Sequence, residues 1–220
     1  MENLVYAIVL LPLLGFLVNG LFGSKLPKAV VGGLATLVVF ASFCIAASLF
    51  INFDSESQPV VVKAFEWFRV NGMQVNFGFQ IDQLSLMMVL IITGIGSLIH
   101  LYSMGYMSHD PGYYKFFTYL NLFIFSMLLL VMGSNYLILF IGWEGVGVCS
   151  YLLIGFWFKN WQYGKAARKA FIMNRIGDLG LLIGIFLIAK ETNAVDYLTV
   201  ANNTSKFAID SPIIIFICAS

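Results

Sequence analysis

Three ionisable side chains stand among residues that favour hydrocarbon. Glu144 lies in Tyr136-Leu-Ile-Leu-Phe-Ile-Gly-Trp-Glu-Gly-Val-Gly-Val-Cys-Ser-Tyr-Leu-Leu-Ile-Gly-Phe-Trp157, and Arg175 and Asp178 lie in Arg168-Lys-Ala-Phe-Ile-Met-Asn-Arg-Ile-Gly-Asp-Leu-Gly180. A charge in hydrocarbon is costly unless it is paired, protonated or beside water, so such residues signal function by default. A carboxylate that is ionised beside a cation and takes up a proton when the cation leaves can pass protons on, and movement of charge across a membrane is the chemistry suggested. Arg175 and Asp178 are three apart and share a helical face, so a structural ion pair and a relay station both stay open for them. Glu144 has no cation on its own segment, and its partner must come from elsewhere. At about 1.5 Å of rise per residue in a core of about 30 Å, Glu144 and Asp178 differ in height by about 7 Å. One or two waters would bridge them if their segments pack together.

Other residues read more plainly. His100 and Lys169 are candidate accessory proton carriers, although His100, one turn from the end of its segment, reads more readily as an interfacial anchor beside Tyr102. Asp82, in Ile81-Asp-Gln-Leu-Ser85, suits the cap of a helix N-terminus. Gly142-Trp-Glu-Gly-Val-Gly147 follows no strand and lacks the Gly-Lys-Ser/Thr of a phosphate loop. Its glycines, with Ser150, are expected to let helices approach closely and to leave room for water beside Glu144. Cys44, Cys149 and Cys218 form no C-x-x-C pair and have no histidine at ligand spacing. They read as buried small hydrophobes, with neither a metal site nor a disulfide framework expected.

The elements that must hold these groups follow from composition. Of 220 residues, 60% are hydrophobic and 10% charged, against about 25% charged in soluble domains. The chain reads as an integral membrane protein, which excludes nucleic-acid binding; a net charge of +1 says nothing about partners. Apolar runs near 4–22, 29–51, 82–102, 115–133, 136–157 and 170–189 are each long enough to span, and another begins near 212. Spanning backbone must satisfy its own hydrogen bonds, and no barrel-like alternation appears, so the spans are helices. The expected fold is an all-α polytopic transmembrane bundle, one membrane domain over 1–220 with six complete spans and a seventh incomplete at 212–220. On that reading the chain is the N-terminal part of something longer, or another polypeptide completes its last span. Met1-Glu-Asn lacks a basic leader region, so the first run is read as a retained helix.

Between the second and third spans, Asn71-Gly72 followed by Met73, Val75, Phe77 and Phe79 in alternation predicts a small external β-hairpin of structural role. Lys25, Lys28, Lys115, Lys159, Lys165, Arg168 and Lys169 fall on one side of the membrane. The positive-inside rule then makes 23–28, 103–115 and 158–169 cytoplasmic and leaves the N-terminus outside.

Phe79-Gln-Ile-Asp-Gln-Leu-Ser85, Phe125-Ser-Met-Leu128, Gly142 through Trp157 and Asn174-Arg-Ile-Gly-Asp178 together resemble the chain 5, or subunit L, family of the proton-pumping NADH:quinone oxidoreductase, respiratory complex I. The resemblance covers essentially the whole chain. It implies an antiporter-like subunit in the cell inner membrane, or the mitochondrial inner membrane if organellar, whose partners are other membrane-arm subunits, the lipid bilayer and protons. It also implies no cofactor in this chain, with NADH, FMN, iron–sulfur clusters and quinone held by partner subunits. In the family pattern the glutamate matching Glu144 pairs with a lysine on a broken seventh helix, with the residues matching Arg175 and Asp178 beside that pair. The lysine's position falls past Ser220, so these residues alone are expected not to pump. The large subunits of multisubunit Na⁺/H⁺ antiporters match less well and are the alternative. A non-transporting scaffold whose buried charges only order helices is the third reading.

Overall fold

The computed structural model describes residues 2–53, 58–70 and 73–203. Its elements are α1 (Glu2–Phe22), α2 (Lys28–Ile51), β1 (Val60–Val70), β2 (Met73–Ile81), α3 (Gln83–Tyr106), α4 (Tyr113–Met132), α5 (Tyr136–Ile154), α6 (Trp161–Thr192) and α7 (Tyr197–Asn202). Among the described residues, six helices are long and apolar enough to cross a membrane, matching the six complete spans expected. The seventh, at 212–220, lies outside the described residues.

Helices α1 to α4 pack into a cluster, α5 packs along α4, and α6 leans on α5. The main core, with Ile8, Val39, Leu86, Leu128 and Ile138 fully or almost fully buried, runs between these helices and the hairpin. The α4-to-α5 contact is the one that places the site. Ile138, Gly142, Gly145 and Cys149 recur at helical spacing on the face of α5 that meets α4. A Cβ on Gly142 would collide with the Leu130 backbone, and one on Gly145 would lie 2.6 Å from Ser126 Oγ. Both glycines therefore permit the close approach expected of them. Gly147 differs, because a Cβ there meets nothing within 4 Å among the described residues.

Strands β1 and β2 pair antiparallel from Val60 opposite Ile81 to Val70 opposite Met73, which is the predicted hairpin; its Asn71-Gly72 turn lies outside the described residues. The Tyr6 hydroxyl donates to the Lys63 carbonyl, tying α1 to the hairpin. Asn135 does two jobs. Its Oδ1 accepts from the N–H groups of Leu137 and Ile138 to cap α5, and its Nδ2 donates to the Asn76 carbonyl of β2. Asp82 caps α3 as expected, accepting from the Ser85 N–H at 2.7 Å while Ser85 Oγ accepts from the Asp82 N–H.

Two expectations need correction, and one element is new. Helix α6 starts at Trp161, not near 170, so most of the supposed loop 158–169 is helical. A helix of 32 residues is about 48 Å long, well beyond a hydrocarbon core of about 30 Å, so its first turns project past the apolar run that marked the span. Cys44 is exposed on α2 rather than buried, while Cys149 is buried as expected; Cys218 lies outside the described residues. Helix α7, which had no apolar signal, follows α6 after Asn193, whose left-handed φ of 52° ends the longer helix.

Candidate charge-relay site

Trp143 and Glu144 are neighbours on α5 and point about 100° apart around its axis, so both reach α6 by flanking the line of contact. Asp178 lies on the buried stripe of α6 with Ala167, Ile185 and Thr192, a carboxylate where the periodicity calls for an apolar residue. Arg175, one turn earlier, bridges the helices. Its guanidinium forms an ion pair with the Glu144 carboxylate, and its Nη1 stands 3.9 Å from Asp178 Oδ2. The guanidinium carbon lies 4.7 Å from the Phe171 ring centroid, so the cation also rests on an aromatic face one turn down α6.

The two carboxylates are not equivalent. Trp143 Nε1–H donates to Asp178 Oδ1 at 2.7 Å, giving Asp178 a charge-assisted bond to an indole, whereas Glu144 meets the guanidinium directly. The Asp178 side chain is 10% exposed, against 21% for Glu144 and 39% for Arg175. A cavity of about 520 Å³ lies beside Asp178, with Trp143, Asn174 and Gly177 on its wall. That volume is ample for several waters beside the more buried carboxylate.

Glu144, Arg175 and Asp178 therefore converge, as their spacing and heights anticipated. The bridge between the carboxylates is the guanidinium itself, where the sequence pattern suggested one or two waters. Trp143 stood in the motif without an expected role, and the signal available was chemical: an indole N–H within an apolar span needs an acceptor, and the adjoining span offered Asp178.

His100 and Lys169 stand apart from this group. His100 is 1% exposed inside α3, with Nδ1–H donating to the Gly96 carbonyl at 2.7 Å and its ring 6.1 Å from the Phe117 centroid. It is thus no interfacial anchor; its position along the span was legible in the sequence, but its rotation into the bundle was not. Lys169 is exposed, and nine residues from Asp178 it points about 180° away around α6. Among the described residues no group of three His, Cys, Asp or Glu side chains could hold a metal ion.

A bundle of spanning helices with two carboxylates sharing one guanidinium defines a polytopic membrane protein built to hold charge in its interior. Two family models match the chain: "NADH-Ubiquinone oxidoreductase (complex I), chain 5 N-terminus" over residues 67–117, and "NADH:quinone oxidoreductase/Mrp antiporter, TM" over residues 133–219. NADH-quinone oxidoreductase subunit L of Mycobacterium tuberculosis is 46% identical over 87% of this chain and 31% of its own length. The Campylobacter jejuni subunit L is 44% identical over 99% of this chain and 35% of its own, and chain 5 of Hypocrea jecorina is 42% identical over 88% and 28%. The chain belongs to the family of antiporter-like membrane subunits that includes subunit L and chain 5. It spans about a third of the length of the curated relatives it matches.

In fold alone it is similar to a chain of the Mrp complex from Dietzia sp. DQ12-45-1b, with a TM-score of 0.79 and 19% identity over 97% of this chain and 23% of that one. A chain of the archaeal membrane-bound sulfane sulfur reductase gives a TM-score of 0.78 at 17% identity, over 91% of this chain and 40% of that one.

Proposed function

We propose that this chain forms part of the proton path of an antiporter-like subunit of NADH:quinone oxidoreductase, with Glu144, Arg175 and Asp178 as the relay. The observation that carries the reading is one guanidinium held between two carboxylates of adjacent spanning helices, with a cavity beside the second. A cation drawn toward Glu144 favours its ionised form. Displacement of that cation toward Asp178 leaves Glu144 able to take a proton, and alternation of the two states between opposite water-filled sides gives vectorial transfer. This chain contributes no redox chemistry; NADH oxidation and quinone reduction belong to partner subunits of the membrane complex and drive the relay.

Glu144→Gln in the assembled complex keeps the shape and hydrogen-bonding capacity but removes the exchangeable charge. Expected is intact assembly with proton uptake into proteoliposomes reduced at least tenfold per NADH oxidised. Pumping at wild-type stoichiometry would exclude Glu144 as a relay and leave the scaffold reading. The Na⁺/H⁺ antiporter reading draws support from the family model over 133–219 and from the Mrp-like fold. It predicts Na⁺ movement that persists without NADH.

A further inference from the structure

At the end of the bundle opposite the hairpin, a cavity of about 650 Å³ opens between the loop before α4, the first turns of α4, the end of α5 and the start of α6. Lys115 and Lys159 line it, and neither has a carboxylate within 4.0 Å among the described residues. The cavity's own acid, Asp110, is already engaged. Its Oδ1 accepts the Gly112 N–H at 2.6 Å and its Oδ2 accepts Trp157 Nε1–H at 2.9 Å. Lys28 holds the same loop in place by donating to the Ser108 and Asp110 carbonyls. The rest of the wall is largely aromatic, with Tyr119, Tyr151 and Phe156 below the lysines. Phe156 packs edge-on against both Phe116 and Tyr119, which keeps this wall in place. Phe158, on the lining, stands exposed, as aromatic residues do where helices leave hydrocarbon.

Two lysines without acidic partners, above an aromatic wall at the depth of the membrane interface, complement one chemistry. A free anion would use the lysines and leave the wall idle. We propose that this cavity binds an anionic phospholipid, with the headgroup phosphate held by Lys115 and Lys159 and the glycerol and upper acyl chain against Tyr119, Tyr151 and Phe156. The proposal is independent of the relay, since none of its residues touches Glu144, Arg175 or Asp178 in the contacts described. Asp110 serves the site by fixing Trp157 and the loop, and it forms no ion pair within 4.0 Å with either lysine among the described residues.

The test is photo-crosslinking in native membranes with phosphatidylglycerol that carries a photoactivatable group high in one acyl chain. Adducts are mapped by peptide and normalised to the amount of chain inserted. Expected are adducts in peptides covering 110–119 and 151–167 that unlabelled phosphatidylglycerol competes away and phosphatidylcholine does not. At about fivefold per lysine, Lys115→Gln/Lys159→Gln should lower the yield about 25-fold, while Lys115→Arg/Lys159→Arg retains it. Wild-type labelling in the glutamine variant, loss in the arginine variant, or equal competition by phosphatidylcholine each overturns the proposal. Competition by inorganic phosphate alone would mark a free-anion site and overturn it equally.

Discussion

Arg175 faces two carboxylates, and the geometry ranks them. Its contact with Glu144 is direct, whereas the one with Asp178 sits at 3.9 Å, the outer limit of an ion pair. Removing the guanidinium therefore strands Glu144 first. Arg175→Met should lower the thermal unfolding midpoint of the detergent-solubilised protein, because a partly buried charge loses its partner, with partial exposure holding the cost below the roughly 3–5 kcal/mol of a fully buried pair. Adding Glu144→Gln should recover most of that loss, and adding Asp178→Asn should recover less. Stronger coupling of Arg175 to Asp178 than to Glu144 in this double-mutant cycle would contradict the ranking. Asp178 has its own support. Trp143→Phe keeps the ring but deletes the bond to Asp178 Oδ1, a charge-assisted interaction worth roughly 1.5–3 kcal/mol. Infrared difference spectra should then show a shifted or new carboxyl band that Asp178→Asn removes; an unchanged spectrum would mean the indole does not govern this carboxylate. The three charges were legible because their types are rare in apolar runs. Trp143 was not, because one-dimensional spacing fixes the angles between residues of one helix but not which neighbour a given face meets.

At the scale of elements, the close contact of α4 and α5 determines whether α6 can present Arg175 to Glu144. Gly142→Ala places a Cβ against the Leu130 backbone, which cannot rotate away as a side chain can. The helices must separate, at a cost of about 1–3 kcal/mol. Gly33→Ala in α2 is the control, since its Cβ meets nothing within 4 Å among the described residues and a helical interior favours alanine over glycine. Comparing unfolding midpoints should show a loss for the first and no loss for the second; equal midpoints would argue against steric control by Gly142. The hairpin end offers a pH test. Asp196 stands opposite Asn135, where burial raises its carboxyl above the ordinary aspartate value despite the opposing pull of Lys63. A carboxyl raised on folding gives stability that is present below the unfolded value and lost as pH rises through the folded one. Amide protection at Tyr136 and Tyr197, which bond to Val195 and Ser134, should therefore fall between acid and neutral pH, and Asp196→Asn should flatten the change. Protection that rises with pH would reverse the sign. Span positions were readable because hydrocarbon thickness sets apolar length, and the cap at Asp82 and the hairpin alternation were readable because both are local. The start of α6 was not, because helical hydrogen bonding continues past the membrane edge while apolarity stops there.

For the molecule as a whole, the direction in which the bundle faces decides which end of the proposed relay opens to the cytoplasm. The ends of the bundle differ in charge. Lys25, Lys28, Lys115, Lys159, Lys165, Arg168 and Lys169 gather at one end, while at the other Lys63, Arg69 and Lys190 are interspersed with Glu66, Asp82, Glu191 and Asp196. The first turns of α6 sharpen the contrast, because Lys165, Arg168 and Lys169 ride on helix that extends past the span and stay exposed. Lysine and arginine near span ends are retained on the cytoplasmic side whether the backbone there is loop or helix, so the correction to α6 leaves the expected orientation as it was. Single cysteines replacing Lys25 or Lys165 should react with a membrane-impermeant maleimide only in inverted vesicles, and one replacing Lys63 only in right-side-out vesicles. The background needs Cys44 replaced, since it is exposed on α2, together with Cys149 and Cys218. Labelling of Lys25→Cys and Lys165→Cys from opposite sides would break the shared topology of α1 to α6. Consistent but reversed labelling would keep the fold, turn the bundle over, and move the lysine-lined cavity to the outer leaflet.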